Sequence, residues 1–217
     1  MKRIRILSIL LSLSFASFAK KHKNKFVTIE TTMGTMKVEV FKETPQHSEN
    51  FLKLADEGFY DSLLFHRVIP NFMIQGGDPD SKRAESGKML GNGDVGYKVP
   101  AEFMDTFYHK KGALAAARDN NPEKASSGCQ FYIVQGKTFT DDDLNKLEAS
   151  KGKKYTEQVR NDYKTNGGTP HLDGAYTVFG QLVEGFDVLE KISHTACAAS
   201  DRPIEDVRIL SMKVTKK

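Results

Sequence analysis

Two short segments near the start of the chain alternate apolar and polar residues. Phe26-Val27-Thr28-Ile29-Glu30-Thr31 and Thr35-Met36-Lys37-Val38-Glu39-Val40-Phe41 flank Met33-Gly34. Period-two patterning sends successive side chains to opposite faces, so the pair predicts a β-hairpin turning at Met33-Gly34. Thr44-Pro45 then opens a helix, with threonine as N-cap and proline at the first helical position. Phe51, Leu54 and Ala55 supply its apolar stripe and Gly58 ends it. Residues 63–78 read as two short strands joined at Pro70-Asn71. Alternation there sets Phe65, Arg67 and Ile69 on one face and His66 and Val68 on the other, while Met73 and Gln75 share a face. A glycine-rich stretch runs from about Asp78 to Tyr97. The small apolar run Gly112 to Ala117 fits a helix or a buried strand, and the turn-rich residues after it favour a strand. Gln130 to Val134 is a strand by length and composition.

Residues 137–170 interrupt this β rhythm. Thr140 precedes Asp141-Asp142-Asp143, an N-cap with acids in the first turn, and Leu144 and Leu147 share a face. Thr156 to Lys164 repeats the pattern with Val159 and Tyr163 at i, i+4, before Gly167-Gly168 and Pro170 stop it. The segment predicts two short helices on a surface excursion, either a solvated elaboration or a partner-docking surface. Strand patterning resumes at Tyr176 to Gly180. A helix over 186–192 and a strand near 207–214 close the chain. The expectation is mainly β: one domain with two principal helices and strands at both chain ends, which suggests closure into a barrel without exposed edges.

The first 19 residues stand apart. Lys2, Arg3 and Arg5 precede the apolar run Ile6 to Phe15, and Ser17-Phe18-Ala19 gives a small-x-small cleavage pattern. This reads as a signal peptide at 1–19, with the working domain at 20–217. The run is short for a membrane span, and a polar, lysine-rich stretch follows at once, so no stable membrane insertion is expected after cleavage. Removing residues 1–19 leaves 29 Lys and Arg against 28 Asp and Glu, a net charge of +1 instead of +4. A nucleic-acid partner therefore loses its electrostatic support. Export implies a periplasmic or secreted protein in an oxidising compartment. Cys129 and Cys197 could pair there, or remain one buried and one surface thiol; Cys129 is expected to pack on the face opposite Gln130.

Composition excludes further classes. The chain has 217 residues, 39% hydrophobic and 28% charged, which suits one soluble globular domain. Two cysteines cannot build a disulfide-stapled mini-fold or a four-cysteine zinc site. The six histidines are scattered without metal-ligand spacing, so no metal and no cofactor are expected. Gly91-Asn92-Gly93-Asp94-Val95-Gly96 matches G-x-G-x-x-G, but no strand leads into it and Tyr97-Lys98-Val99-Pro100 cannot begin the required helix. It reads as a surface loop.

Phe65-His66-Arg67-Val68-Ile69-Pro70-Asn71-Phe72-Met73-Ile74-Gln75-Gly76-Gly77-Asp78 resembles the signature of the cyclophilin-type peptidyl-prolyl cis-trans isomerases. Gly128 to Ile133 and Leu172 to Gly180 resemble the family's next two motifs, in order. The resemblance spans roughly residues 26–212 apart from 137–170. It implies a closed eight-stranded antiparallel β-barrel capped by two α-helices, acting without cofactor on proline-containing polypeptides, as a monomer. By position it implies Arg67 as the catalytic residue, and Phe72, Met73, Tyr132 and Leu172 as the proline pocket. Gln75 and Gln130 match residues that bind the substrate backbone, Ala117 and Arg118 the strand beside it, and His66 a structural position.

The residues support this chemistry independently. An Xaa–Pro bond rotates over a barrier of about 20 kcal/mol set by amide resonance. Lowering it needs no bond chemistry, only an apolar seat for the ring and a donor aimed at the nitrogen of the twisted amide. Arg67 offers a permanently charged fork of donors. Three positions depart from familiar members. Arg118 replaces asparagine, His171 replaces tryptophan and Tyr176 replaces histidine; the second change weakens the expectation of tight cyclosporin binding. The departures look bacterial. The alternative is a proline-peptide binding module with little catalysis.

Overall fold

The structure is a computed structural model that describes residues 25–216; the proposed signal peptide lies outside the described residues. Strands β1 (Lys25–Thr31) and β2 (Gly34–Val40) form the expected hairpin, paired from Lys25–Val40 to Thr31–Gly34. Val27, Ile29, Met36 and Val38 all point into the core. Thr31 closes the turn: its hydroxyl donates to Gly34 O at 2.7 Å and accepts from the Met33 N–H at 3.0 Å. Gly34 has φ +132°, and a Cβ there would sit 2.7 Å from Val188 Cγ2, so the turn needs glycine.

Helix α1 (Pro45–Asp56) begins at the predicted proline, with Thr44 at the N-cap position. The threonine does not cap. Its hydroxyl donates to Phe41 O and meets Ser48 Oγ. Glu102 fills the role from a distant loop, accepting from the N–H groups of Gln46 at 3.1 Å and His47 at 2.9 Å. A carboxylate suits this end of the helix dipole.

Strands β3 (Phe65–Ile69) and β4 (Met73–Gly76) form the second hairpin, with Asn71 left-handed at φ 61° in the predicted turn. Strict alternation fails in β3. Phe65 pairs with Gly76 and Arg67 with Gln75, so His66 is an extra, bulged residue. The bulge moves Phe65 into the core with Val68, while Arg67 and Ile69 face outward. The expectation that Phe65 shares a face with Arg67 is thereby corrected.

Strands β5 (Lys98–Val99) and β7 (Ser126–Ser127) make a small separate ladder. Between and after them lie β6 (Ala113–Ala116) and β8 (Phe131–Val134), buried at every position. Leu114, Ala116, Phe131 and Ile133 enter the inner core, whereas Ala113, Ala115, Tyr132 and Val134 join an apolar cluster on the outer face. Burial on both faces explains the unbroken apolar runs. Helices α2 (Asp141–Lys151) and α3 (Glu157–Thr165) form as read, Thr140 and Asp143 closing a capping box and Thr156 capping α3. Strand β9 (Val178–Glu184), helix α4 (Phe186–Ser193) and strand β10 (Ile209–Lys216) complete the chain.

The main sheet has eight antiparallel strands in the order β10-β1-β2-β9-β6-β8-β4-β3. Phe51 of α1 packs against Tyr60, Phe131 and Phe179 in the core. With four helices, the fold is mainly β and strongly curled. It is a half-barrel and not a clearly closed one, because no continuous ladder joins β10 to β3. Their ends are stitched by a bridge at Leu64–Arg208 and by bonds from Ser62 and Phe65 N–H to Ile209 and Val207 O. Farther along β3, the N–H of Val68 donates to Asp201 O at 2.8 Å, so a loop takes the place of the neighbouring strand. Cys129 is buried in the core as expected and Cys197 is half-buried; the two thiols are not bonded to each other. Burial pushes the Cys129 thiol up to about 11.

The bulged His66 is buried, and neither ring nitrogen has a hydrogen-bond partner among the described residues. Burial lowers its pKa from 6.5 to about 4; Asp78 opposes the shift and Arg67 and Arg202 add to it. Between those values the unfolded chain binds a proton that the folded chain refuses. Stability is therefore lost as pH falls through this window, by roughly 3 kcal/mol. Burial lowers the pKa of His47 and His171 as well, with the same sign. Thermal midpoints at about pH 7.5 and about pH 4.5 test this. The wild type should lose more than His66→Phe, and equal losses would contradict it.

Candidate active site

The bulge in β3 delivers Arg67 to the outer face, where it is half-exposed. Two partners hold the guanidinium. Nη1 donates to Gln75 Oε1 at 3.4 Å, and Nε lies 3.5 Å from Asp201 Oδ2. Behind Gln75 runs a line of amides: Gln75 Nε2 donates to Gln130 Oε1 at 3.0 Å, and Gln130 Nε2 donates to Gly91 O at 2.9 Å and Gly93 O at 2.8 Å. The glycine-rich loop is fixed in turn by Asp78, whose carboxylate accepts from the N–H groups of Asp80 and Gly91. Gly77 lets the chain turn there at φ +94°, since a Cβ would collide with the Cys129 carbonyl.

Beside Arg67 lies a cavity of about 260 Å³. Met73 and Tyr132 belong to the outer apolar cluster beneath it; Phe72, Leu172 and Tyr176 pack against that cluster. Tyr132 and Tyr176 meet edge to face, 6.0 Å apart at 80°. The short side chains of Ala113, Ala115 and Ala117 leave the sheet low here. Arg118 lies over the Tyr176 ring, 4.7 Å from its centroid, and its Nε donates to Ala175 O at 2.9 Å.

Nine of the eleven residues expected from sequence line this one cavity: Arg67, Phe72, Met73, Gln75, Ala117, Arg118, Tyr132, Leu172 and Tyr176. Gln130 does not line it; it is buried behind Gln75, with its amide nitrogen spent on two carbonyls. His171 stands to the side, stacked on Phe72 at 5.6 Å and 27°. Ala117 has both backbone groups occupied, its N–H by Gln130 O and its C=O by the Ser127 N–H. Among the described residues, no hydrogen bond takes the backbone N–H or C=O of Arg118, so that peptide can pair with a bound chain.

Other wall residues were not expected. Leu90 and Asn92 come from the glycine-rich loop, and Ser200 and Arg202 from the loop before β10. Arg202 is buried, bonded to Asp206 at 2.8 Å and to Glu85 O and Lys88 O. The pairing of Asp201 with Arg67 spans most of the chain, and no local pattern marks it. Among the described residues no group of His, Cys, Asp and Glu could hold a metal ion, and no helix is long and apolar enough to cross a membrane.

Comparison with known proteins accords with this geometry. The family model for cyclophilin type peptidyl-prolyl cis-trans isomerase/CLD matches residues 26–214. A Staphylococcus haemolyticus protein, provisionally named a peptidyl-prolyl cis-trans isomerase, is 38% identical over 192 residues, covering 88% of this chain and 91% of its own length. A Streptococcus pyogenes protein, provisionally named a bifunctional phosphatase/peptidyl-prolyl cis-trans isomerase, is 40% identical over 198 residues. That match covers 90% of this chain, which spans only 40% of the relative's length. A Cryptosporidium parvum cyclophilin type isomerase superposes with TM-score 0.68 at 25% identity, over 90% of this chain and 99% of that one. Its structure in the presence of the dipeptide Ala-Pro gives 0.64 at 25% identity, over 88% and 99%. The chain belongs to the cyclophilin-type peptidyl-prolyl cis-trans isomerases, an enzyme class that works without a cofactor.

The amide line makes a specific prediction. Gln75→Ala removes the neutral partner of Arg67 and leaves its guanidinium held by Asp201 alone. A hydrogen bond to a charged group contributes about 1.5 kcal/mol or more, so kcat/KM should fall about tenfold. Unchanged kcat/KM on an Xaa-Pro peptide would show that Gln75 does not hold Arg67 for catalysis.

Proposed function

We propose that the chain catalyses rotation about Xaa–Pro bonds with Arg67 as its electrostatic centre. The observation that carries this is a half-exposed guanidinium, held by Gln75 and Asp201, at the edge of a cavity whose apolar floor is Met73 and Tyr132. The pyrrolidine ring enters the cavity and sheds water. The open peptide of Arg118 pairs with the bound backbone and fixes its direction. As the amide twists, resonance is lost and the proline nitrogen regains a lone pair. A charged donor binds that nitrogen more strongly in the twisted state than in the planar one, which is the condition for lowering the barrier. Phe72, with His171 stacked on it, closes the cavity on one side, and Arg118 and Tyr176 close the other.

Proline-containing polypeptides are the proposed substrates. The N-terminal pattern of residues 1–19 supports the proposal that they are exported chains and that the enzyme works in the periplasm or outside the cell. Slow prolyl steps limit folding of chains that emerge unfolded. The enzyme is proposed to act as a monomer, with the two edges of its half-barrel stitched between residues 62–65 and 207–209.

The test is acceleration of cis-to-trans isomerisation of an Xaa-Pro peptide, measured for the wild type beside Arg67→Ala. The mutant should lose about 100-fold or more in kcat/KM, the size of effect seen when one preorganised donor is removed. Wild-type turnover should change little between about pH 6 and about pH 9, because no acid or base transfers a proton. Undiminished activity in Arg67→Ala would refute the mechanism. Binding without turnover in the wild type would mean a recognition module.

A further inference from the structure

The 137–170 segment is not a solvated appendage. Leu144, Val159 and Tyr163 form their own buried cluster with Tyr108, Phe139 and Tyr155 packed against it. Two of these tyrosines reach out of the cluster toward one carboxylate. The Tyr163 hydroxyl donates to Asp173 Oδ2 at 2.6 Å and the Tyr155 hydroxyl donates to the same oxygen at 3.0 Å. The single Tyr155 proton is shared between that oxygen and Pro170 O at 2.9 Å, and Lys151 Nζ donates to Asp173 O at 2.6 Å. Asp173 directly follows the pocket residue Leu172.

The other oxygen of Asp173 faces the sheet. Oδ1 accepts from the backbone N–H of His109 at 2.9 Å and meets its Nδ1 at 2.8 Å. His109 Nε2 lies 2.9 Å from the hydroxyl of Tyr132, and the two rings are nearly parallel, 6.0 Å apart at 15°. Burial opposes ionisation of Asp173, yet the bonds from His109 and Tyr163 keep its pKa below the ordinary value. An ionised carboxylate only accepts, so Nδ1 carries the proton toward it. In the neutral ring Nε2 is then the acceptor, and Tyr132 donates into the relay. His109 is buried, so this path runs beneath the cavity and away from solvent.

We propose that the 137–170 segment is a clamp on the proline pocket: Tyr155 and Tyr163 fix Asp173, and Asp173 through His109 fixes the ring of Tyr132, so these four are positioning residues for Xaa–Pro recognition. The clamp holds two walls at once, Tyr132 through His109 and Leu172 through the backbone beside Asp173. Its effect is preorganisation: a wall already in place costs less to order when the ring binds. The clamp rests on the reading of this cavity as the proline pocket.

The test uses the full chain and an Ala-Pro-containing peptide, with Kd read by titration and KM and kcat by isomerisation. Tyr155→Phe/Tyr163→Phe keeps both rings and removes both hydroxyls. Kd and KM should rise together about fivefold while kcat stays within about twofold. Thr140→Ala is the stability control, since it removes the capping box of α2 without a bond to any relay residue. It should lower the thermal midpoint and leave Kd unchanged. Adding Tyr132→Phe to the tyrosine pair should raise Kd by less than the product of the separate effects, because all three hydroxyls act along one path. An unchanged Kd in the tyrosine pair, an equal rise in Thr140→Ala, or fully multiplicative effects would overturn the clamp. A wild type that binds the peptide without turning it over would defeat the catalytic reading alone, and the Kd comparison would still decide the clamp.

Discussion

A single extra residue in β3 governs the geometry of the site. Without the bulge at His66, Phe65 and Arg67 would share a face: either the ring would leave the core or the guanidinium would enter it. With the bulge, Phe65 fills the interior and Arg67 reaches the outer surface within the same short strand. The bulged ring is left buried, with no hydrogen-bond partner for its nitrogens among the described residues, a local cost that the surrounding core sustains. A neutral, poorly basic imidazole is the form that such a position tolerates.

The outer face of the sheet supplies the rest. Sheets of this kind commonly present a polar outer surface, but β6 and β8 are apolar on both sides. Alanines at 113, 115 and 117 keep the surface low, and Met73 and Tyr132 floor the hollow that results. Around this apolar seat the polar groups are tethered: Arg67 to Gln75, Gln75 to Gln130, Gln130 to the glycine-rich loop. Tyr132 is likewise tied to His109 and, through Asp173, to the helical segment. One line of tethers runs from β3 and β4 to the glycine-rich loop and another from β8 to the helical segment, so the loops lend rigidity to the surface.

Much of this was legible in the chain. The alternation at 26–41 gave both strands and their turn, Pro45 marked the start of α1, and Thr140 and Thr156 marked the helices of the 137–170 segment. Arg67 and most of the pocket followed from the resemblance of an unbroken motif. What escaped was set by distance. The bulge depends on pairing with β4, so period-two reasoning within 65–69 put Phe65 on the wrong face. Thr44 occupies the cap position, but Glu102 does the capping from another loop. Gln130, matched by resemblance to a substrate-backbone contact, lines the adjoining cavity with Gln75, Ala117 and Arg118, and its amide nitrogen is bonded to carbonyls of the glycine-rich loop. Asp173 and His109 carry no local signal at all, since a histidine becomes a relay only when a carboxylate and a tyrosine arrive from elsewhere.

The central claim is that Arg67 acts on the twisted amide and contributes little to holding the planar one. Exchange between cis and trans forms of a bound Xaa-Pro peptide, followed by NMR line shape, separates the two contributions. For Arg67→Ala the account predicts a Kd within about threefold of wild type, with on-enzyme exchange slowed by about 100-fold. Equal losses in affinity and exchange would contradict it, placing the guanidinium among the groups that merely bind the substrate.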